Sequence, residues 1–391
     1  MSRRIVVLFI INSLAAGGAE RQLTELCRNL DKDRFDIHVA VFYGPGNGNL
    51  GDLWPEMAAL PGVRLHDLRK RRGPLGYLVT LPRLAALILR TKADILHGYL
   101  NGNLPALLLG AILRRRVVWG VRRSFANLGA LDRLSLRLLA IRIRLARFTD
   151  LMIFNSQASL SNHEALGLKG TRTCVIPNGF DTDRFRPDAD LRKAQRTAWG
   201  VPEDALLVGI VGRLDPVKDH STFLHAAARL SRDLPQARFV CVGRGDAAYA
   251  ERLAQLAATL GLEDRVLWTG VSREMPSVYN ALDALALTSI DEGFPNVIGE
   301  AMATGVPCVA TRVGDAALLV GDLGHTAAPG DAEAIHRGLL HLLTEGPEER
   351  RRRSLACRAH LVERYGVKTL AHRTGTHLLE ILEPPVAPRG Q

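Results

Sequence analysis

Two carboxylates eight positions apart, Glu292 and Glu300, flank the stretch Gly293-Phe294-Pro295-Asn296-Val297. This stretch opens an apolar run. Val297, Ile298, Ala301, Met302 and Ala303 fall at helical spacing, and Gly305-Val306-Pro307 stops it. Pro295 fits the first helical turn, where its missing N–H costs nothing. The pattern predicts Glu292 in the loop before a helix and Glu300 about one and a half turns inside it. Backbone amides from Gly293 to Val297 would lie between them. A helix N-terminus attracts anions, because its first N–H groups have no intrahelical acceptor and its dipole is positive there. Carboxylates on either side can accept bonds from hydroxyls. Together they suit a ligand with both hydroxyls and phosphates, such as a nucleotide sugar.

A second group lies upstream, in Gly209-Ile210-Val211-Gly212-Arg213-Leu214-Asp215-Pro216-Val217-Lys218-Asp219. Arg213 and Lys218 stand on either side of a turn built on Asp215-Pro216, after an apolar strand. Two cations at a strand end, beside a glycine that lets backbone approach, suit a diphosphate. Gly243, in Val242-Gly243-Arg244-Gly245-Asp246, ends another strand and could approach the nucleotide. Near the start, a strand runs into Asn12-Ser13-Leu14-Ala15-Ala16-Gly17-Gly18-Ala19-Glu20-Arg21 and then a helix with Leu23, Leu26, Cys27 and Leu30. This is not G-x-G-x-x-G, and no matching acidic residue follows for a dinucleotide ribose, which disfavours a dehydrogenase. Arg122, Arg123 and Ser124 follow a further strand and could face an anionic acceptor.

These groups must be positioned by strands alternating with helices. Ile5–Ile11, Ile37–Phe42, Ile95–Leu96, Val117–Trp119, Leu151–Phe154 and Thr173–Ile176 read as strands in the first half. Leu206–Val211, Arg238–Val242, Val266–Trp268, Ala284–Leu287 and Cys308–Ala310 do so in the second. The fold class is α/β: two doubly wound Rossmann-like domains, with ligands at the carboxyl ends of their strands facing a shared cleft. We expect one domain over 1–180 and a second over 181–364, joined by the polar segment Asp181 to Gly200. The last helix, within Leu355–Leu382, is expected to carry about 365–391 back onto the first domain.

Composition agrees with a globular chain of two domains: 391 residues, 47% of them hydrophobic. Cys27, Cys174, Cys241, Cys308 and Cys357 are scattered and form no C-x-x-C pair, which fits a reducing cytoplasm and argues against structural zinc. The start mimics a short signal peptide, but its apolar run is brief and leads into a glycine turn, so it reads as the first buried strand. No apolar stretch approaches a transmembrane length. Residues 1–180 hold 26 Lys and Arg against 12 Asp and Glu, and the remainder 25 against 28. These balances of +14 and −3 make up the +11 of the whole chain. Part of the excess lies in the Leu- and Arg-rich segment Leu131–Phe148, with Arg69–Arg72 and Arg114–Arg116 beside it. A cationic amphipathic face suits an anionic membrane surface. No aromatic-rich basic platform suggests nucleic acid.

The segment from Asp291 to Thr311, DEGFPNVIGEAMATGVPCVAT, resembles the donor-site signature of retaining glycosyltransferases of family 4, which have the GT-B fold. The resemblance implies that Glu292 contacts the transferred sugar and Glu300 holds the ribose hydroxyls. Gly293, Phe294, Pro295, Asn296 and Val297 form the stretch whose free amides, those of all but the proline, meet sugar and phosphate. Arg213 and Lys218 match the family's phosphate-binding loop, and Gly17 and Gly18 its N-terminal loop. Val271, in Trp268-Thr269-Gly270-Val271-Ser272, matches the place where relatives hold the base through backbone atoms. Ile176 to Phe185 is also very like the family, in a structural role. Many members show His-x-His where this chain has His97-Gly98-Tyr99, with a His near the sugar. His97 keeps the first place, and Tyr99 departs at the second.

The resemblance therefore implies a cytoplasmic enzyme, with or without peripheral attachment to the inner face of the membrane. It would move a sugar from a nucleotide diphosphate sugar to an acceptor hydroxyl, in surface polysaccharide, lipopolysaccharide or glycolipid synthesis. Glu292, Arg213, Lys218 and His97 take catalytic places, and Tyr99, Arg122 and Arg123 the acceptor side. No cofactor or metal is expected, since cations and helix amides can stabilise the leaving diphosphate. The acceptor is expected to be a saccharide or lipid-linked. A sugar-nucleotide epimerase of the same fold and an inactive glycosyltransferase-like binding subunit are the alternatives.

Overall fold

The computed structural model describes residues 3–15, 17–45, 51–71, 73, 75–122 and 133–383. Runs of Val, Ile and Leu too continuous for a half-exposed strand form two parallel sheets covered on both faces. The chain divides into two compact units, Met1–Gly179 with Val367–Gln391, and Phe180–Gly366.

Unit 1 holds β1 (Ile5–Ile11), β2 (Phe35–Val41), β3 (Val63–Asp67), β4 (Ile95–Tyr99), β5 (Arg116–Val121), β6 (Leu151–Phe154) and β7 (Thr173–Val175). Their order in the sheet is β3-β2-β1-β4-β5-β6-β7. Unit 2 holds β8 (Leu206–Val211), β9 (Ala237–Val242), β10 (Val266–Gly270), β11 (Ala284–Leu287), β12 (Cys308–Thr311) and β13 (His325–Ala327), in the order β10-β9-β8-β11-β12-β13. In each sheet the order reverses once, between β1 and β4 and between β8 and β11. At such a point the loops leaving adjacent strands run to opposite faces and leave a crevice, where ligands bind in open α/β sheets.

Sequence reading misses β3 and β13. Both are edge strands, and both are short and polar: Val-Arg-Leu-His-Asp and His-Thr-Ala. An edge strand is covered less, so the apolar signal is weak. The segment expected as a polar connector also carries a helix, Ala189–Ala198. Its Arg196 is buried, donating to Asp283 at 2.6 Å and to the carbonyls of Ala281, Pro202, Glu203 and Ala205. A charged anchor of this kind leaves no hydrophobic trace in the sequence.

The final helix is two helices, Pro347–Tyr365 and Val367–Glu380. Gly366 between them is extended, and the amide of Phe180 donates to the Tyr365 carbonyl at 2.8 Å. The second helix puts Leu370, Ala371 and Leu378 into the core of unit 1. The chain leaves that unit at Gly179, whose amide and carbonyl are both held by Gln22, at 2.8 and 2.9 Å.

In unit 2 the helix Asn296–Ala303 lies against Phe180, whose ring stacks near Phe294 at a centroid distance of 6.2 Å. A Cβ at Gly299 would stand 2.0 Å from the Phe180 ring. Gly299→Ala is therefore expected to destabilise the protein by about 1–3 kcal/mol through overpacking. Denaturant unfolding measures this, and a variant with the parent midpoint would mean that the Phe180 ring gives way freely.

Candidate active site

The site in unit 2 is built on the loops that leave β8, β9 and β11. After β8 the chain turns at Asp215, whose carboxylate accepts from the Val217 amide at 3.0 Å, and closes a short helical turn over Pro216–Lys218. This returns Lys218 toward the sheet. At the end of β9, Gly243 adopts φ 154°, and a Cβ there would stand 1.8 Å from the Gly212 carbonyl oxygen. Only glycine lets these two loops approach so closely.

The loop after β11 is tied to the loop after β8. Thr288 places its hydroxyl 3.0 Å from the Lys218 carbonyl and 2.8 Å from that of Asp219. The Ile290 amide donates to the Val217 carbonyl at 2.8 Å. These ties bring two residues far apart in sequence together: Lys218 Nζ lies 2.5 Å from Glu292 Oε1. Ser289 Oγ donates to the same oxygen at 2.8 Å. The Lys218 and Glu292 side chains keep 24% and 13% of their surface exposed, so the pair is largely withdrawn from water but reachable.

Glu300 lies on the helix Asn296–Ala303 and accepts the Tyr279 hydroxyl at 2.7 Å. Pro295 precedes this helix as its N-cap residue, one position earlier than the sequence suggests, and its carbonyl accepts from Ile298. Phe294 is buried against Phe180 and Tyr365, so its ring serves the core. Gly293 accepts from the Asp315 amide at 3.1 Å, and Gly314 (φ 52°) packs on it so closely that a Cβ would stand 2.4 Å from its carbonyl oxygen. Asn296 and Val297 are partly exposed at the start of the helix.

Arg213 is less drawn in than Lys218. Its side chain is 77% exposed and pairs with Asp215 at 3.3 Å. Val271 is exposed just beyond β10. Sequence reading does not single out Thr288, Ser289, Tyr279 or Gly314. The hydroxyl pair Thr288-Ser289, one residue ahead of Asp291-Glu292, was a usable signal; Tyr279 and Gly314 carry none that spacing could reveal. His220, also unforeseen, is buried with no partner for either ring nitrogen among the described residues, and burial followed by the charge of Lys218 lowers it to about 4. It is a neutral neighbour of the lysine.

In unit 1, Gly17 is the N-cap of the helix Gly18–Asn29, with no side chain capping it. A cavity of about 250 Å³ lies at the carboxyl ends of β1, β4 and β5, with Asn12, Glu20, Asn101, Arg122 and Arg142 on its wall. Burial raises the Glu20 carboxyl above its ordinary value. Arg122 donates to the Tyr99 hydroxyl at 3.0 Å and to Asn178 Oδ1 at 3.2 Å.

His97 and Tyr99 require correction. Both were expected to reach the site, and both are fully buried on β4. This central strand is covered on both faces, so alternation brings neither residue to solvent. His97 lies between Phe9 and Tyr99, at centroid distances of 5.1 and 4.8 Å, with neither ring nitrogen bonded among the described residues. Burial, and then the Arg122 charge, holds it well below the usual histidine range and therefore neutral. Among the described residues, Tyr99 bonds through its hydroxyl to Arg122 on the cavity wall. Arg123 lies outside the described residues.

The family model described as Glycosyltransferase Family 4 matches residues 16–184, and that described as Glycosyl transferases group 1 matches 205–345. D-inositol 3-phosphate glycosyltransferase 2 of Catenulispora acidiphila is 31% identical over 83% of this chain and 82% of its own length. The chain belongs to glycosyltransferase family 4. Another relative, D-inositol 3-phosphate glycosyltransferase of Streptomyces bingchenggensis, is 36% identical, but the match spans only 49% of this chain and 44% of that protein. The solved structure of Anabaena Alr3699/HepE in complex with UDP-glucose matches with a TM-score of 0.83 at 25% identity, over 96% of this chain and all of that one. The two sheets of this family 4 glycosyltransferase are thus the two Rossmann-like domains of the GT-B fold. Its matched segments include Gly17, Gly18, Arg213, Lys218, Glu292 and Glu300.

Proposed function

We propose that this chain is a retaining glycosyltransferase that moves a sugar from a nucleoside diphosphate sugar to an acceptor hydroxyl. The observation that carries the reading is the Lys218–Glu292 pair at the reversal of the unit 2 sheet, with Glu300 on the adjoining helix. Lys218 supplies positive charge for the diphosphate, and the more exposed Arg213 can swing toward it. Glu300, oriented by Tyr279, accepts from the ribose hydroxyls. Glu292 accepts from the hydroxyls of the transferred sugar. The start of the helix Asn296–Ala303 adds its dipole.

Retention needs either two inversions or attack on the face from which the diphosphate leaves. Glu292 Oε1 already takes bonds from Lys218 and Ser289, which lowers its nucleophilicity and favours the second route. The acceptor oxygen then bonds to the anomeric carbon as the bond from that carbon to the diphosphate oxygen breaks. The acceptor proton passes to the departing phosphate. The cationic side chains carry the charge that develops there, without a metal ion.

The cavity in unit 1 is assigned to the acceptor, with Arg122 and Arg142 suited to a negatively charged group on it. Surface polysaccharide or glycolipid synthesis fits such an acceptor. The helix Arg133–Leu145 adds a reason to place the enzyme at a membrane face. Leu136, Leu138 and Ile141 are exposed on it at 40%, 40% and 46%, beside exposed Arg137 and Arg144. No helix among the described residues is long and apolar enough to cross a membrane.

Glu300→Ala should abolish donor use and weaken binding of the bare nucleoside diphosphate by about 2–4 kcal/mol, the worth of charge-assisted bonds to two hydroxyls. Glu292→Ala should not weaken that binding but should lose turnover, and a chelator should leave the parent enzyme active. Calorimetry and a transfer assay test this; equal loss of nucleotide affinity in both variants, or activity restored only by a divalent cation, would contradict the assigned roles.

The membrane reading predicts flotation with anionic vesicles at low salt and release at high salt, each cation near the surface contributing about 1 kcal/mol. Arg137→Glu with Arg144→Glu should release the protein and leave nucleotide binding intact. Parent protein that ignores anionic vesicles at low salt returns this helix to an ordinary surface element.

A further inference from the structure

Glu292 Oε1 is held by two donors of different kinds. Lys218 reaches it with a long, flexible side chain whose proposed duty is to the diphosphate. Ser289 reaches it at 2.8 Å with a short one that has no other evident duty. Ser289 is buried, and its backbone is fixed: Thr311 Oγ1 donates to its carbonyl at 2.6 Å. Its neighbour Thr288 is bound to the carbonyls of Lys218 and Asp219. The serine hydroxyl is therefore fixed relative to the strand ends on both sides of the sheet reversal, whereas the lysine ammonium is not.

A donor diphosphate carries more negative charge than one carboxylate and competes with Glu292 for the ammonium. As Lys218 turns to it, Glu292 loses its cation and comes to stand near like charge. An unrestrained carboxylate would then swing away from the sugar. We propose that Ser289 is the positioning residue that keeps Glu292 aimed at the transferred sugar once the diphosphate has drawn Lys218 off it. The inference rests on the reading of Glu292 and Lys218 as donor-site residues. It adds that Glu292 restrains nucleotide binding by competing for Lys218, and that its orientation in the loaded enzyme depends on one hydroxyl.

The test is a cycle of Ser289→Ala, Glu292→Gln and the double variant in the full chain. The ligands are the best-used nucleotide sugar from a panel and its nucleoside diphosphate. For Ser289→Ala, kcat should fall about tenfold, the scale of one lost charge-assisted bond. KM and nucleoside diphosphate affinity should stay within about twofold, and Ser289→Thr, which restores a hydroxyl, should recover most of kcat. Glu292→Gln should bind the bare nucleoside diphosphate more tightly than the parent, because the competing charge is gone. In the Glu292→Gln background, Ser289→Ala should have no further effect on the advantage of nucleotide sugar over nucleoside diphosphate in binding, a comparison that needs no turnover. An undiminished kcat in Ser289→Ala overturns the proposal, as does a change in that binding advantage when Ser289→Ala is added to Glu292→Gln. Full turnover by Glu292→Gln instead overturns the donor-site reading, and the role of Ser289 with it.

Discussion

The contact between Lys218 and Glu292 joins the loop after β8 to the loop after β11, the two strands between which the order of the unit 2 sheet reverses. Opposite charges so far withdrawn from water are a net gain only if their remaining bonding capacity is met. Much of the surrounding structure meets it. Ser289 donates to the carboxylate, and Thr288 ties the backbone of Lys218 to β11. Thr311 reaches across from β12 to fix the carbonyl of Ser289. The glycines follow from the same constraint: loops held this close leave no room for a Cβ at Gly243 or Gly314. A charge pair fixed in this way can exchange partners without refolding, as the proposed binding of a diphosphate requires.

Unit 1 solves a different problem. Its cavity is walled by Arg122 and Arg142, and Arg122 is itself oriented by the buried Tyr99 and by Asn178. Tyr99 and Asn178 act on this cavity through the arginine, while the histidine on the same strand as Tyr99 stays neutral among aromatic rings. The positive balance of residues 1–180 has the sign expected of a unit that handles anionic partners.

The sheets were legible because buried parallel strands leave unbroken apolar runs, and Ile5–Ile11, Leu151–Phe154, Leu206–Val211 and Ala284–Leu287 show them end to end. The edge strands β3 and β13 were not, since a strand covered less needs fewer apolar residues. The break at Gly366 was hidden for another reason: it depends on Phe180, nearly two hundred residues earlier. At the site, Glu292, Glu300, Arg213 and Lys218 stood out by charge and by glycine and proline around them. The residues that hold them, Ser289, Thr288 and Tyr279, are uncharged and commonplace, and only the fold says what they touch. His97 was misplaced because a strand end looks alike in sequence whether its side chains meet solvent or core.

The central claim is that the reversal point of the unit 2 sheet receives the donor, with Lys218 changing partner as it binds. A crystal structure with the nucleotide sugar bound tests it most directly. The account predicts Lys218 Nζ within hydrogen-bond reach of the diphosphate, Glu300 on the ribose hydroxyls, and Glu292 still held by Ser289 and facing the sugar. A nucleotide sugar bound away from the ends of β8 and β11, or a Lys218–Glu292 contact unchanged with the diphosphate held by other groups, would contradict it.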